Sequence, residues 1–230
     1  MGDLNSMLLA VDTSTSQIGV ALYDGERVLA EAYWQSGRHH TRELASLVAQ
    51  VLGHTGFAVA DLQAVGVALG PGSFTGLRIG LAFAKGLTLA RRLALVGVPT
   101  LDVVAAAVPP DPDYPRLFAV LPAGRGRLAV GRYTLQDHRW QPQGSPETAT
   151  PEALAQRIRQ PSIVCGEMPP EARSRLGRKY KTVRIPSPAL CARRPALLAE
   201  LAWARWQNGQ TDFPAPLAPL YLHTGTPIPA

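Results

Sequence analysis

Cysteine is scarce in this chain. Only Cys165 and Cys191 occur among its 230 residues, and they form no CxxC spacing. That usage predicts a reducing cytosol and offers no disulfide framework. Long hydrophobic runs are missing as well: none reaches the roughly 18 residues of a membrane helix, so no membrane association is expected and the localisation reads as cytoplasmic. The opening MGDLNSMLLAVDTS lacks the basic flank and cleavage site of a signal peptide. Several catalytic signatures are absent. There is no GxxxxGK[ST], which excludes a P-loop, and Ser73 lies in Gly-Pro-Gly-Ser-Phe rather than in a GxSxG elbow. His39, His40, His54, His138 and His223 show no metal-ligand spacing and read as solvated. Lys85 reads as a surface residue. No self-sufficient catalytic constellation is left, and no repeat of fixed period is visible.

What is present is length for one domain or two small lobes, with an uneven charge. Residues 1–115 hold 7 Lys+Arg against 10 Asp+Glu, and residues 116–230 hold 16 against 7, within a net charge of +6. The basic half suits a polyanion such as RNA through phosphate contacts, or is a solvated arginine-rich surface.

The chain is organised around GPGSFTGLRIGLAFAKGLTLA, Gly70–Ala90. The apolar run Ala64–Leu69 before it predicts a buried strand, Gly70-Pro71-Gly72 a tight turn, and Ser73 or Thr75 a cap for the helix that follows. Gly76, Gly80 and Ala84 share one face of that helix, flanked by Leu77 and Leu81. Each interior glycine costs roughly 1 kcal/mol relative to alanine. Close packing against another helix is the expected compensation, with an anion at the helix N-terminus as the other. Upstream, Met7–Val11, Ile18–Leu22 and Val28–Trp34 predict an antiparallel meander, turning at Asp24-Gly25. Thr41–Leu52 predicts an amphipathic helix whose other side carries Ala45 and Ala49. Leu93–Val98 reads as a strand and Leu101–Val108 as a short helix. This βββ-αβ-αβ-α order is the ribonuclease-H-like pattern, the building block of actin-like folds. The run Pro109–Pro115 reads as a linker, dividing an N-terminal lobe (1–108) from a smaller second lobe (116–230). Beyond it, Leu117–Leu121 and Leu128–Leu135 predict a hairpin, Pro151–Arg159 and Pro195–Gln207 helices, Ser162–Cys165 a buried strand, and Leu217–Leu222 a tail that docks. Asp12, ending the first strand, with Thr13 and Ser14, forms either a phosphate-binding turn or a turn that satisfies only itself.

Three segments resemble one family: Leu8–Gly25, Gly70–Leu87 and Leu95–Ala105 are similar to TsaB, also called YeaZ. GPGSFTGLR is highly specific; the likeness covers about the first 108 residues closely and is loose beyond Pro109, although Pro219-Leu220-Tyr221-Leu222 matches the family's closing motif. The resemblance implies the actin-like ATPase (ASKHA) fold with a degenerate second lobe. It implies a role in forming threonylcarbamoyladenosine at position 37 of tRNA, as a non-catalytic subunit that dimerises with and activates the transferase TsaD. A TsaE-like ATPase would join the same complex, and the chain alone would form a homodimer. The two N-terminal helices would make the interface, which assigns it to Ala45, Ala49, Gly76, Leu77, Gly80, Leu81 and Ala84. TsaD carries an HxxxH metal pair whose positions fall here at Thr100 and Val104, and neither can replace imidazole as an iron or zinc ligand. The resemblance therefore implies a pseudo-enzyme needing no cofactor, with weak ATP or ADP binding at the interface with partners and tRNA contact through the basic second lobe. One departure stands out: family members often carry Asp-Ala-Arg at the second lobe's first hairpin, where this chain has Pro122-Ala123-Gly124-Arg125. The alternative function, of a different class, is a stand-alone ATP-dependent phosphotransferase of the actin-like fold.

Overall fold

The computed structural model describes residues 6–37 and 39–222. His223 and the first five residues, to which two of the expectations above refer, lie outside them. In chain order the elements are β1 (Leu8–Asp12), β2 (Gln17–Tyr23), β3 (Val28–Gln35), α1 (His40–Thr55), β4 (Ala64–Ala68), α2 (Phe74–Arg91), β5 (Ala94–Val98) and α3 (Thr100–Ala106). There follow β6 (Arg116–Pro122), β7 (Leu128–Gln136), β8 (Arg139–Pro142), β9 (Glu147–Ala149), α4 (Pro151–Arg157), β10 (Ser162–Gly166), α5 (Pro170–Gly177), β11 (Val183–Arg184), α6 (Pro188–Cys191) and α7 (Pro195–Gln207).

Two units result. Among the described residues, one holds the chain up to Thr100 together with Arg194–Leu220; the other holds Leu101–Arg193 with Tyr221 and Leu222. In the first, the sheet order is β3-β2-β1-β4-β5, with β1 antiparallel to β2 and parallel to β4. This is the ribonuclease-H-like order. Register sets Leu9 beside Val65 and Val11 beside Val67, so one face is continuous. Leu44, Leu47, Val48 and Val51 of α1 pack on its β1–β2 side, and Leu81 and Ala84 of α2 on Val65 and Val67. The opposite face takes α7. There glycines in the strands make room for the helix: a Cβ at Gly66 would meet that of Ala202, and one at Gly19 would run into Pro195. Every residue of β1 and β4 is buried, as expected of strands covered on both faces.

The domain boundary differs from the expected one. Pro195–Gln207 forms the predicted helix, but its apolar side, with Leu198, Ala199 and Ala202 fully buried, covers the first sheet. The tail continues there: Asp212 N–H donates to Leu95 O (2.8 Å) and Leu220 N–H to Leu69 O (2.7 Å), while Leu217 docks on the apolar cluster under α2. The proline run Pro109–Pro115 is a turn inside the second unit, where Asp111 pairs with Arg184 at 2.5 Å.

β3 also anchors α7. That helix has no side-chain cap of its own, and Glu31 supplies one from outside: Oε1 accepts Ala196 N–H (2.9 Å) and Oε2 accepts Arg194 Nη2 (2.6 Å). Removing a cap typically costs about 1 kcal/mol. Glu31→Ala is expected to lower the stability by that amount, which at a slope of about 1–3 kcal/mol/M lowers the urea midpoint by about 0.3–1 M without changing the slope. An unchanged midpoint would mean that α7 is held by its apolar side alone.

The second unit repeats the first. Its order β11-β10-β6-β7-β8, read from β8, carries the same directions: β7 is antiparallel to β8 and β6, and β10 is parallel to β6 and β11. Val120, Val130 and Val164 face α4 and α5, while Leu117, Ala119 and Cys165 face the α3 side. β11 has only two residues, which is the degeneracy expected of this half.

Candidate functional site

β1, β4 and β5 run parallel, so their C-terminal loops meet at one end of the first sheet. There Asp12, Thr13 and Ser14 are buried (1%, 2% and 0% exposed). Asp12 Oδ1 accepts both Ser14 N–H (2.9 Å) and Ser14 Oγ–H (2.6 Å). Thr13 Oγ1–H donates to Gly76 O (2.7 Å), and Ser73 N–H donates to Ser14 O (2.7 Å). The turn is thus stitched to the start of α2, whose cap is Ser73, with Oγ accepting Gly76 N–H at 3.2 Å. Thr100 holds the other flank, its Oγ1 accepting Gly70 N–H (2.9 Å) and its N–H donating to Gly70 O (2.8 Å). His40 lies beneath, 4% exposed, with Nε2 at 2.8 Å from Thr15 O. A carbonyl only accepts, so the proton sits on Nε2. His40 is therefore a core histidine, whereas His39, His54 and His138 are exposed as expected. Lys85, expected at the surface, is half-buried and donates to Ala215 O (3.3 Å).

This geometry corrects the expected role of the small-residue stripe. A Cβ on Gly76 would fall onto Thr13 O, and one on Gly80 onto Thr13 Oγ1. Ala84, Leu77 and Leu81 are buried as well. All five residues face their own unit, and the glycines are compensated by close approach of the Thr13 turn, not by a partner helix. Ala45 and Ala49 do lie on the outer side of α1, exposed, in line with Gly53. The matching outer side of α2 is Ala82, Gly86 and Ala90, which the sequence reading missed. Around them Phe74 is 55% and Leu89 67% exposed, with the Arg78 guanidinium 3.8 Å from the Phe74 ring centre. A Cβ at Gly53 or Gly86 would meet nothing within 4 Å. Beside this surface, an open cleft of about 330 Å³ runs along α1 between Trp34, His39, Arg42, Glu43 and Gln50, and Trp34 Nε1–H donates to Glu43 Oε2 (3.0 Å).

Comparison with known proteins decides among the readings of this fold. A family model described as tRNA N6-adenosine threonylcarbamoyltransferase (TsaD) matches residues 32–191. The Escherichia coli tRNA threonylcarbamoyladenosine biosynthesis protein TsaB is 31% identical over 154 residues, 66% of this chain and 66% of its own length. The chain belongs to the TsaB family. The YeaZ structure from Pseudomonas aeruginosa agrees, with a TM-score of 0.75 and 25% identity over 94% of this chain and 100% of that one. Three further curated TsaB proteins are matched over 43%, 61% and 54% of their own lengths. A hexokinase of the ROK class from Thermus thermophilus, 11% identical over 88% of this chain and 100% of that one with a TM-score of 0.50, shares the fold.

Thr100 and Val104 are the two positions at which the resemblance to TsaD implied a metal pair. Thr100 Oγ1 is engaged with Gly70, and Val104 lies in the apolar core of the second unit. These residues do not fit a transition metal. Among the described residues no group of His, Cys, Asp or Glu is placed to hold one, and none of the helices is long and apolar enough to cross a membrane.

Proposed function

We propose that this chain is a non-catalytic subunit that pairs with a TsaD-type transferase and activates it in forming threonylcarbamoyladenosine in tRNA. The observation that carries this is the outer side of α1 and α2, where small residues line up between the exposed Phe74 and Leu89. Small side chains let a second pair of helices approach closely, and flanking apolar side chains supply the area such contacts need. Activation then follows from differential affinity: a surface that binds the transferase's active conformation better than its inactive one shifts that equilibrium. A TsaE-like ATPase belongs to the same assembly, and the same surface would serve a homodimer when the transferase is absent. In this reading the chain itself requires no nucleotide, in keeping with the turn at Asp12 bonding to its own residues; ATP or ADP is assigned to the interface with partners. Contact with tRNA is assigned to the second unit. Between residues 101 and 193 there are 14 Lys+Arg against 8 Asp+Glu, while the first unit holds 9 of each. Arg116 and Arg132 are exposed on adjacent strands there.

Reconstitution tests this. The isolated chain is expected to transfer no threonylcarbamoyl group and to hydrolyse ATP no faster than background. Added to the transferase of the same genome with tRNA and the remaining components, it should switch modification on. Robust ATP turnover by the chain alone, lost in Asp12→Ala, would instead establish the stand-alone phosphotransferase of the actin-like fold.

A further inference from the structure

The two cysteines are 26 residues apart in sequence, yet in the second unit their sulfurs lie 3.6 Å from one another. Both are buried, Cys165 at 0% and Cys191 at 7% exposure. They stand on different elements, Cys165 within β10 and Cys191 at the end of α6. Arg173, from α5, holds its guanidinium beside them: Nη2–H donates to Pro186 O (2.7 Å), and Nη1 is 4.0 Å from Cys191 Sγ. The pair is asymmetric. The Cys165 thiol, donating towards Cys191 and then Arg173 in support, holds Cys191 below the ordinary thiol range, whereas that same hydrogen bond and burial push Cys165 up. A thiolate is the reactive form. The covering element is slight: α6 is a single turn of four residues whose Ser187 cap makes no side-chain bond, and Ser187–Leu190 are exposed. Short elements with exposed backbone open most readily, which gives a small oxidant a route to Cys191.

We propose that Cys165 and Cys191 form a redox modification site, with Cys191 as the thiol that reacts with a hydroperoxide and Cys165 as the thiol that resolves it into an internal disulfide. In the first step Cys191 Sγ attacks the O–O bond of hydrogen peroxide. Cys191 becomes a sulfenic acid, and the leaving hydroxide takes up a proton as water. In the second, Cys165 Sγ attacks Cys191 Sγ, the S–O bond breaks, and the departing hydroxide combines with the proton from Cys165. Two thiols and one peroxide give one disulfide and two waters. The sulfurs must close to about 2.05 Å, a displacement that the one-turn α6 can absorb. A small-molecule dithiol reverses the reaction.

The test uses the full chain treated with hydrogen peroxide, then denatured and alkylated. The expected result is a monomer whose intact mass has lost two hydrogens, which resists alkylation at both positions and yields one cross-linked peptide pair, restored by dithiothreitol. Cys165→Ser should stop at a dimedone-reactive sulfenic acid on Cys191. Cys191→Ser should leave Cys165 unreacted, and Arg173→Gln should slow the first step several-fold. The wild-type mass and peptide map require no variant to fold. Two freely alkylated cysteines after peroxide, or a disulfide between chains in place of the internal one, would overturn the proposal.

Discussion

Gly80→Arg is expected to unfold the first unit, not merely to break an oligomer. The position touches Thr13, and even a Cβ there would run into Thr13 Oγ1, the group that donates to Gly76 O. Overpacking a core position typically costs about 1–3 kcal/mol. An arginine adds the larger penalty of a buried, unpaired charge, against a total stability of about 5–15 kcal/mol for a domain. Gly76→Ala should cost several-fold more than an exposed substitution, because its neighbour is the backbone oxygen of Thr13 and backbone cannot rotate aside. Urea unfolding followed by circular dichroism measures both. A Gly80→Arg chain with the wild-type midpoint would mean that the stripe faces a partner after all.

Gly86, six positions further along α2, should behave in the opposite way. Nothing lies within 4 Å of a Cβ there, and replacing an exposed helical glycine removes a propensity penalty of about 0.8–1 kcal/mol. Gly86→Arg should therefore fold at least as well as the wild type. Its effect falls on the partner, since an arginine between Ala82 and Ala90 keeps a second helix from approaching. Disrupting a hot spot near the centre of an interface costs about 2 kcal/mol or more, roughly a 30-fold loss of affinity. Titration calorimetry against the transferase should show that loss, together with a matching loss of tRNA modification. Leu89→Asp should act in the same direction.

The contrast between these two glycines marks how far the sequence was legible. The meander, α1, α2 and α7 are long, periodic elements, and their patterns located them to within a few residues. The actin-like pattern of the first half followed from their order. Periodicity also showed that Gly76 and Gly80 share a helical face. It could not show what that face meets, because a small-residue stripe looks the same against a loop of its own chain as against another molecule. The outer stripe at Ala82, Gly86 and Ala90 was present as the same i, i+4 spacing and was hidden by the more apolar neighbours of the inner one. The destination of α7 was illegible for a related reason: which sheet an apolar helix covers is decided by contacts more than a hundred residues away in the chain. In the second unit, β11 has two residues and β9 three, too short for any alternation to register. Sequence alone does not tell a phosphate-binding turn at Asp12–Ser14 from one that satisfies itself, because both need the same short polar residues; here Asp12 Oδ1 accepts from Ser14.

Sedimentation velocity on the chain mixed with the transferase of its own genome tests the central claim most directly. At micromolar concentration the two should travel as one complex, which Gly86→Arg dissociates into folded components. Separate boundaries for the wild-type proteins, with tRNA modified equally well when this chain is omitted, would contradict the account.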